Sequence, residues 1–587
     1  MLESATKLGC LVFAAVALSA CQGDISGGSN TAGSGAAGPG GPGSTAGSPP
    51  MIDTNGDGIP DAPAPGGPGG PNPMVDPGDP NAAGPMPLRR LNRREYNNTV
   101  RDLLGITTRP ADDFPNDVDG TFPFPRAGLV AIVDAEHLRD AAEAMVAQVD
   151  VTKLLPCSPA SGEPACAKSF IEGFGLKAFR RPLLADEVAR LTALYDKGRG
   201  DLKLGFNDAI KLVLEGMLQS PGFLYRWELG PQPPTKDGAV VKLTPYEVAS
   251  RLSYFLWRST PDQALLDAAA AGGLTTEQDI ATQVDRLLAA MPARESVSSF
   301  FADWLKMSGE AISARDKDVQ TYPEFQADLQ AAMATETEKF VTSVLFDGDG
   351  TLQSLLTSPA TQVNGPLAKL YGVAGVTGDA FVPTNLNAAQ RSGLLTRAAF
   401  LSVTGAADGS NPVKRGKRIF QGLLCQELLP PAGVVIPPAP AASTGGTTRE
   451  RFQRHEENSC AGCHKVLDPL GFAFENYDGI GKFRDMDNGS PVNAASATTL
   501  DGAEVSFNNG VELSAALAKS DEVRTCFATH WVRYALDRME TDYDKASLAA
   551  AVVAFKAGNY AVPALLKGVA STRSFRYRTL AEGEMSR

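Results

Sequence analysis

The sequence predicts an all-α body. Apolar residues recur at helical spacing along most of the chain after Leu88, helix-start signatures punctuate it, and alternating strand patterns are nearly absent. The segment ahead of Leu88 has the opposite character. Residues 22–87 are mostly Gly, Ser, Pro and Ala with almost no large apolar groups, too few to offset chain entropy by burial. The expected architecture is a disordered linker followed by a multi-module helical body.

The first residues read as an export segment. Lys7 lies in a short n-region that also contains Glu3, and residues 8–17 are apolar. Leu18-Ser19-Ala20-Cys21 resembles the lipobox of bacterial lipoproteins. That resemblance implies loss of residues 1–20 and a lipid on the Cys21 thiol, with an ordinary secretory signal cut near Ala20 as the alternative. Gln22, standing where Asp would mark other sorting, implies an outer membrane if there is one. The expected location is the bacterial cell envelope, on its periplasmic side or at the cell surface, with the lipid as the only membrane attachment. No later stretch has the roughly 18 uncharged apolar residues of a spanning helix. A net charge of −13 argues against nucleic acid as a partner.

Within the linker, Asp53, Asn55, Asp57 and Asp61 place oxygen ligands around Gly58 and resemble a calcium loop. Ala64 stands where a bidentate Glu would close the site, so Ca2+ would bind weakly, and a solvated turn is the alternative.

The helical body follows in order. Leu91, Tyr96, Val100, Leu103 and Leu104 share one face of a helix beginning near Asn92. Residues 134–149 and 166–197 are further helices, the second broken at Pro182. Thr244-Pro245-Tyr246-Glu247 combines an N-cap, a proline at the first helical position and a capping-box glutamate, and the helix behind it turns Leu252, Phe255 and Leu256 inward. Thr275 with Gln278 and Asn387 with Gln390 are weaker starts of this kind. Residues 294–307 and 322–346 repeat at helical period, and 492–507 hold a short hairpin. Aromatic clusters at Phe223–Trp227, Tyr254–Trp257 and Phe300–Trp304 read as core filling rather than a cleft lining. The pairs Arg93-Arg94 and Arg180-Arg181 read as solvated or ion-paired faces. The expected divisions fall at 88–150, 151–240, 241–400, 401–490 and 491–587.

Chemistry concentrates at Cys460-Ala461-Gly462-Cys463-His464. C-x-x-C-H is the spacing of covalent c-type haem attachment. Each thiol adds across one vinyl group, one helical turn spans the two sulfurs, and His464 becomes the proximal iron ligand. This makes the segment cytochrome c-like and haem c the expected cofactor. Zinc held by His455, Cys460, Cys463 and His464 is an alternative, though adjacent Cys463 and His464 make a tetrahedral site awkward. A disulfide is another, without the βαβ surroundings of a thioredoxin-like site. Met486, Met539, His455 and His530 are candidates for the sixth ligand. Leu467, Leu470, Phe472 and Phe474 are apolar enough to wall off the ring, and Lys465, Lys482 or Arg484 can meet its propionates.

Export governs the remaining cysteines. Cys157, Cys166, Cys425 and Cys526 are an even set in an oxidising compartment, which suggests two bridges. Cys157 and Cys166 bracket a turn-rich stretch, favouring Cys157-Cys166 and leaving Cys425-Cys526. Buried free thiols are the alternative.

Several stretches together resemble a known architecture. They are LRRLNRREYNNTVRDLLG at 88–105, FGLKAFRRPLLADEVARL at 174–191, LTPYEVASRLSYFLWRSTPDQALLD at 243–267, and NPVKRGKRIFQGLLC with CAGCHKVLDPLGFAFENYDGIGKFR within 411–484. A last module covers 513–538 and the helices to 575. The chain resembles multi-module exported proteins of planctomycetes and myxobacteria built from domains of unknown function, one of them named planctomycete cytochrome C. The resemblance implies a haem-bearing envelope protein and supplies no reaction. The expected function is electron transfer with a redox partner protein of the cell envelope. The alternatives are a haem-dependent oxidoreductase using the helical body as a substrate cleft, and a scaffold in which the C-x-x-C-H segment is structural.

Overall fold

Helix starts are set by local chemistry. Asn92 accepts from the Glu95 amide while the Glu95 carboxylate accepts from the Asn92 amide, and this capping box opens α1 (Arg93–Leu104). Gly105, at φ +69°, ends it by donating to the Arg101 carbonyl. The computed structural model describes residues 78–580, apart from 119–122, 129–131, 232–235, 238–239, 429–438, 442–443 and 454–459. Cys21, the calcium loop at Asp53, Asn55, Asp57 and Asp61, and His455 lie outside the described residues.

Around α1 gather α2 (Ile132–Gln148), α3 (Glu163–Phe179), α4 (Ala185–Gly200) and α5 (Phe206–Leu218). Their first core holds Tyr96, Val100, Phe170, Ile171, Val213 and Leu214, all nearly inaccessible to water. α3 and α4 part before Pro182, as proline chemistry predicts. Arg180 departs from expectation. It is not on a surface face: its guanidinium is buried and donates to the carbonyls of Gly222, Phe223 and Tyr225 at 2.8, 3.0 and 2.7 Å. Those carbonyls end the short helix Pro221–Leu224, which no further turn satisfies. Arg181 does pair with Glu187, at 2.8 Å.

A second, larger core runs from Met86 to Phe575. α6 (Pro245–Leu256) begins with the predicted Thr244–Glu247 capping box. α7 (Glu277–Ala289) starts one residue later than expected. Thr276 and Asp279, rather than Thr275 and Gln278, exchange the capping bonds, because the shorter Asp side chain closes the box at that register. At Asn387 the expected helix is a single turn: Asn387 accepts from the Ala389 and Gln390 amides, and the chain turns away toward Gly393. α8 (Met291–Trp304) and α9 (Ala327–Phe346) complete the centre, and Phe300, Phe301 and Trp304 fill it.

The C-terminal half adds α10 (Pro412–Leu423), α11 (Ala461–Phe472), α12 (Gly510–Lys519), α13 (Asp521–Leu536), α14 (Lys545–Ala557) and α15 (Val562–Ser571). The predicted hairpin pairs Ser496–Leu500 with Ala503–Phe507. Asp501 and Gly502, both at positive φ (52° and 77°), make the two-residue turn whose twist matches the strands. The described strands are short, and they pair in twos and threes.

The linker ends earlier than expected. Residues 78–87 are not a free tether: Ala83 and Met86 are buried, the Asn81 carbonyl accepts from Arg573 at 2.7 Å, and that of Gly84 accepts from the Thr579 amide. Among the described residues no helix is long and apolar enough to cross a membrane.

Candidate functional site

Cys460 immediately precedes α11 with near-helical backbone (φ −80°, ψ −25°), and Cys463 sits in its first turn. Residues three apart on a helix share a face, so both thiols present to one side. They are unbonded and half-buried. The other four described cysteines form the expected bridges, Cys157–Cys166 and Cys425–Cys526.

His464 follows. Its Nδ1 lies 3.0 and 3.1 Å from the two carboxylate oxygens of Asp468, one helical turn on, whose side chain is wholly buried. A carboxylate at Nδ1 holds the proton there and places the ring's lone pair on Nε2, the arrangement a metal-ligating imidazole needs. Sequence reasoning missed Asp468. The i,i+4 spacing from His464 was its visible signal.

Two glycines position this helix. A Cβ on Gly416 of α10 would collide with the Leu467 carbonyl, and one on Gly471 of α11 would collide with the Pro412 carbonyl. The helices therefore cross backbone to backbone and run antiparallel. Arg415 of α10, itself buried, donates to the carbonyls of Phe474, Tyr477 and Asp478 at 2.8, 3.0 and 2.6 Å and so anchors the chain leaving α11. Behind it, burial and the charges of Arg415 and Lys414 push the Lys317 amine down to about 7, and it donates to the Ala406 carbonyl.

Several expected neighbours have other duties. Leu467, Leu470 and Phe474 belong to the large core, and Phe472 packs under the Arg449 guanidinium at 4.7 Å. They hold α11 in place against α10 and the body. Arg484 bonds Glu475 at 3.0 Å and Asp487 at 2.7 Å in a cluster with Ser410. Lys465 and Lys482 remain exposed. Met486 and Met539 are both open to solvent (51% and 41% exposed). His530 is buried on α13 with Nε2 3.6 Å from Cys425 Sγ, and burial and Arg533 push its imidazole down to about 3.

The residues present fit a covalently bound haem: two unbonded thiols on one helical face, followed by an imidazole whose Nδ1 is committed to a buried carboxylate. Fold and site together define a multi-module, mainly helical protein with a C-x-x-C-H helix in its C-terminal half. Five families match in succession, each described as protein of unknown function: DUF1587 at 89–151, DUF1595 at 166–228, DUF1592 at 243–373, DUF1588 (PSCyt3) at 391–487 and DUF1585 at 504–575. The chain belongs to the multi-module proteins of planctomycete cytochrome C type, whose arrangement of domains it reproduces. No curated protein and no solved structure matches it.

Proposed function

We propose that the chain is a lipid-anchored c-type cytochrome of the bacterial cell envelope that passes electrons between redox partners. Haem bound at Cys460, Cys463 and His464 would supply a one-electron iron couple. The observation that carries this reading is the His464–Asp468 pair beside two unbonded thiols. Asp468 orients the imidazole and raises its basicity, Cys460 and Cys463 fix the ring to α11, and the α10–α11 crossing holds the helix against the body. Phe223, Tyr254, Phe255, Trp257, Phe300, Phe301 and Trp304 fill the cores, which favours electron transfer over a cleft lined by these aromatic side chains. The sixth ligand is left to Met486, Met539 or His455.

The test is expression with haem-maturation machinery, followed by a pyridine haemochrome assay on denatured protein. A haem that stays with the polypeptide, and is lost when Cys460 and Cys463 become Ser, supports the reading. Absence of bound haem in the matured wild-type chain defeats it. A low-spin spectrum indifferent to CO supports electron transfer, whereas a high-spin spectrum that shifts with CO or cyanide turns the case toward catalysis.

A further inference from the structure

A second set of soft ligands lies apart from the C-x-x-C-H helix. Cys526 and His530 are one turn apart on α13, so their side chains share a face. Cys425 reaches them from just beyond the end of α10. Its backbone is left-handed (φ 52°), a conformation unusual for a residue with a Cβ, and this turn carries Sγ back onto α13. One ligand atom from each of the three residues lies within 4.8 Å of the others. His530 Nε2 approaches Cys425 Sγ at 3.6 Å. Cys526 and His530 are each 3% exposed, and the rings of Trp304 and Phe124 stand 6.1 and 6.4 Å from the imidazole.

We propose that Cys425, Cys526 and His530 form a redox-gated site for monovalent copper, closed as the disulfide and opened by an external dithiol. In the opening step the dithiol gives two electrons and two protons to the Cys425–Cys526 bond and becomes a disulfide itself, leaving two thiols. Copper then replaces both thiol protons, which pass to solvent, and takes the imidazole nitrogen as third ligand. Thiolates select soft cations, and three ligands satisfy monovalent copper, whereas structural zinc almost always takes four. Cys526 and His530 are buried and Cys425 half-buried, so the site is largely screened from water on the side of α13. A helical pair at i and i+4 joined by one ligand from a neighbouring element is a set that an ordinary bridge does not require. The proposal stands apart from the haem reading, since the two sites share no residue.

The test uses the full, matured chain, reduced with a phosphine under anaerobic conditions and titrated with Cu(I) against a bathocuproine competitor. After reduction the wild-type chain is expected to hold one more copper than the Cys425→Ser/Cys526→Ser variant treated alike, a difference that cancels any copper taken by the Cys157 and Cys166 thiols freed in the same step. His530→Gln, which keeps both thiols, is expected to weaken binding at least tenfold. X-ray absorption on the wild-type chain is expected to show two sulfur neighbours and one nitrogen, which decides the point without any variant having to fold. No added copper on reduction, equal binding in the serine variant or in His530→Gln, or preferential uptake of Zn(II) would each overturn the proposal. Counting the increment against the serine variant removes any copper held at Cys460 and Cys463, so failure of haem attachment does not alter the outcome.

Discussion

Asp468 shows what one carboxylate does for a ligand. With haem held as proposed, its charge at His464 Nδ1 would feed electron density through the ring and favour the oxidised iron. Asp468→Asn keeps the shape and removes the charge. The expected result is a reduction potential higher by on the order of 60 mV, the one-electron equivalent of tenfold. An unchanged potential in redox titration would show that the carboxylate serves packing alone. A second residue tests electrostatics away from the site. Burial, aided by Glu143, raises the Glu215 carboxyl to about 7. The folded chain then holds a proton that the unfolded chain releases above its ordinary carboxylate range, so stability falls as pH rises from about 4.5 to 7. Glu215→Gln escapes that cost. It should match the wild type near pH 4 and exceed it at pH 8, by on the order of 1 kcal/mol after discounting for partial exposure, in paired denaturant titrations.

Elements were legible where the signal is local. The Thr244 capping box, the break at Pro182 and the hairpin within 492–507 all appear where the residues predict them, since each is decided within a few positions. The failures have an equally local cause. Asn387 makes its turn, but Gly393, at φ +66° and pressed against the Leu356 backbone, interrupts the chain before the next helix, and the box forms at Thr276 and Asp279, one residue beyond Thr275. The α10–α11 crossing was not legible, since neither Gly416 nor Gly471 announces which helix it meets. Gly416→Ala tests the crossing directly. The added Cβ strikes backbone that cannot rotate away, so about 1–3 kcal/mol of stability should disappear, read as a lower thermal midpoint. A variant as stable as the wild type would mean that the helices separate without consequence.

At the scale of the whole molecule, buried charges join stretches that lie hundreds of residues apart. Glu95 meets Arg258 at 2.9 Å and Arg226 at 3.6 Å, Arg226 meets Asp537 at 3.5 Å, and Glu228 takes both Arg89 and Arg251. Four arginines from three separate sequence stretches thus converge on shared carboxylates. Glu95→Gln would leave two guanidiniums buried against one fewer charge, at an expected cost of about 3 kcal/mol or more in denaturant unfolding. The bridges differ in reach. Cys425–Cys526 closes a loop of sequence separation 101, against 9 for Cys157–Cys166. By loop entropy, its double serine variant should lose roughly 2 kcal/mol more than that of the short bridge, measured in parallel melts. What the sequence settled unaided was the helical class, the helix starts at Asn92 and Thr244 and the C-x-x-C-H segment, because period, capping and short thiol spacing are properties of neighbouring residues. Only the tertiary structure decided that Asp468 backs His464, that Leu467 and Phe474 face the core, that Arg180 is buried and that His530 stands against a disulfide. Those facts depend on which faces meet across long stretches of chain, and no local pattern encodes the meeting.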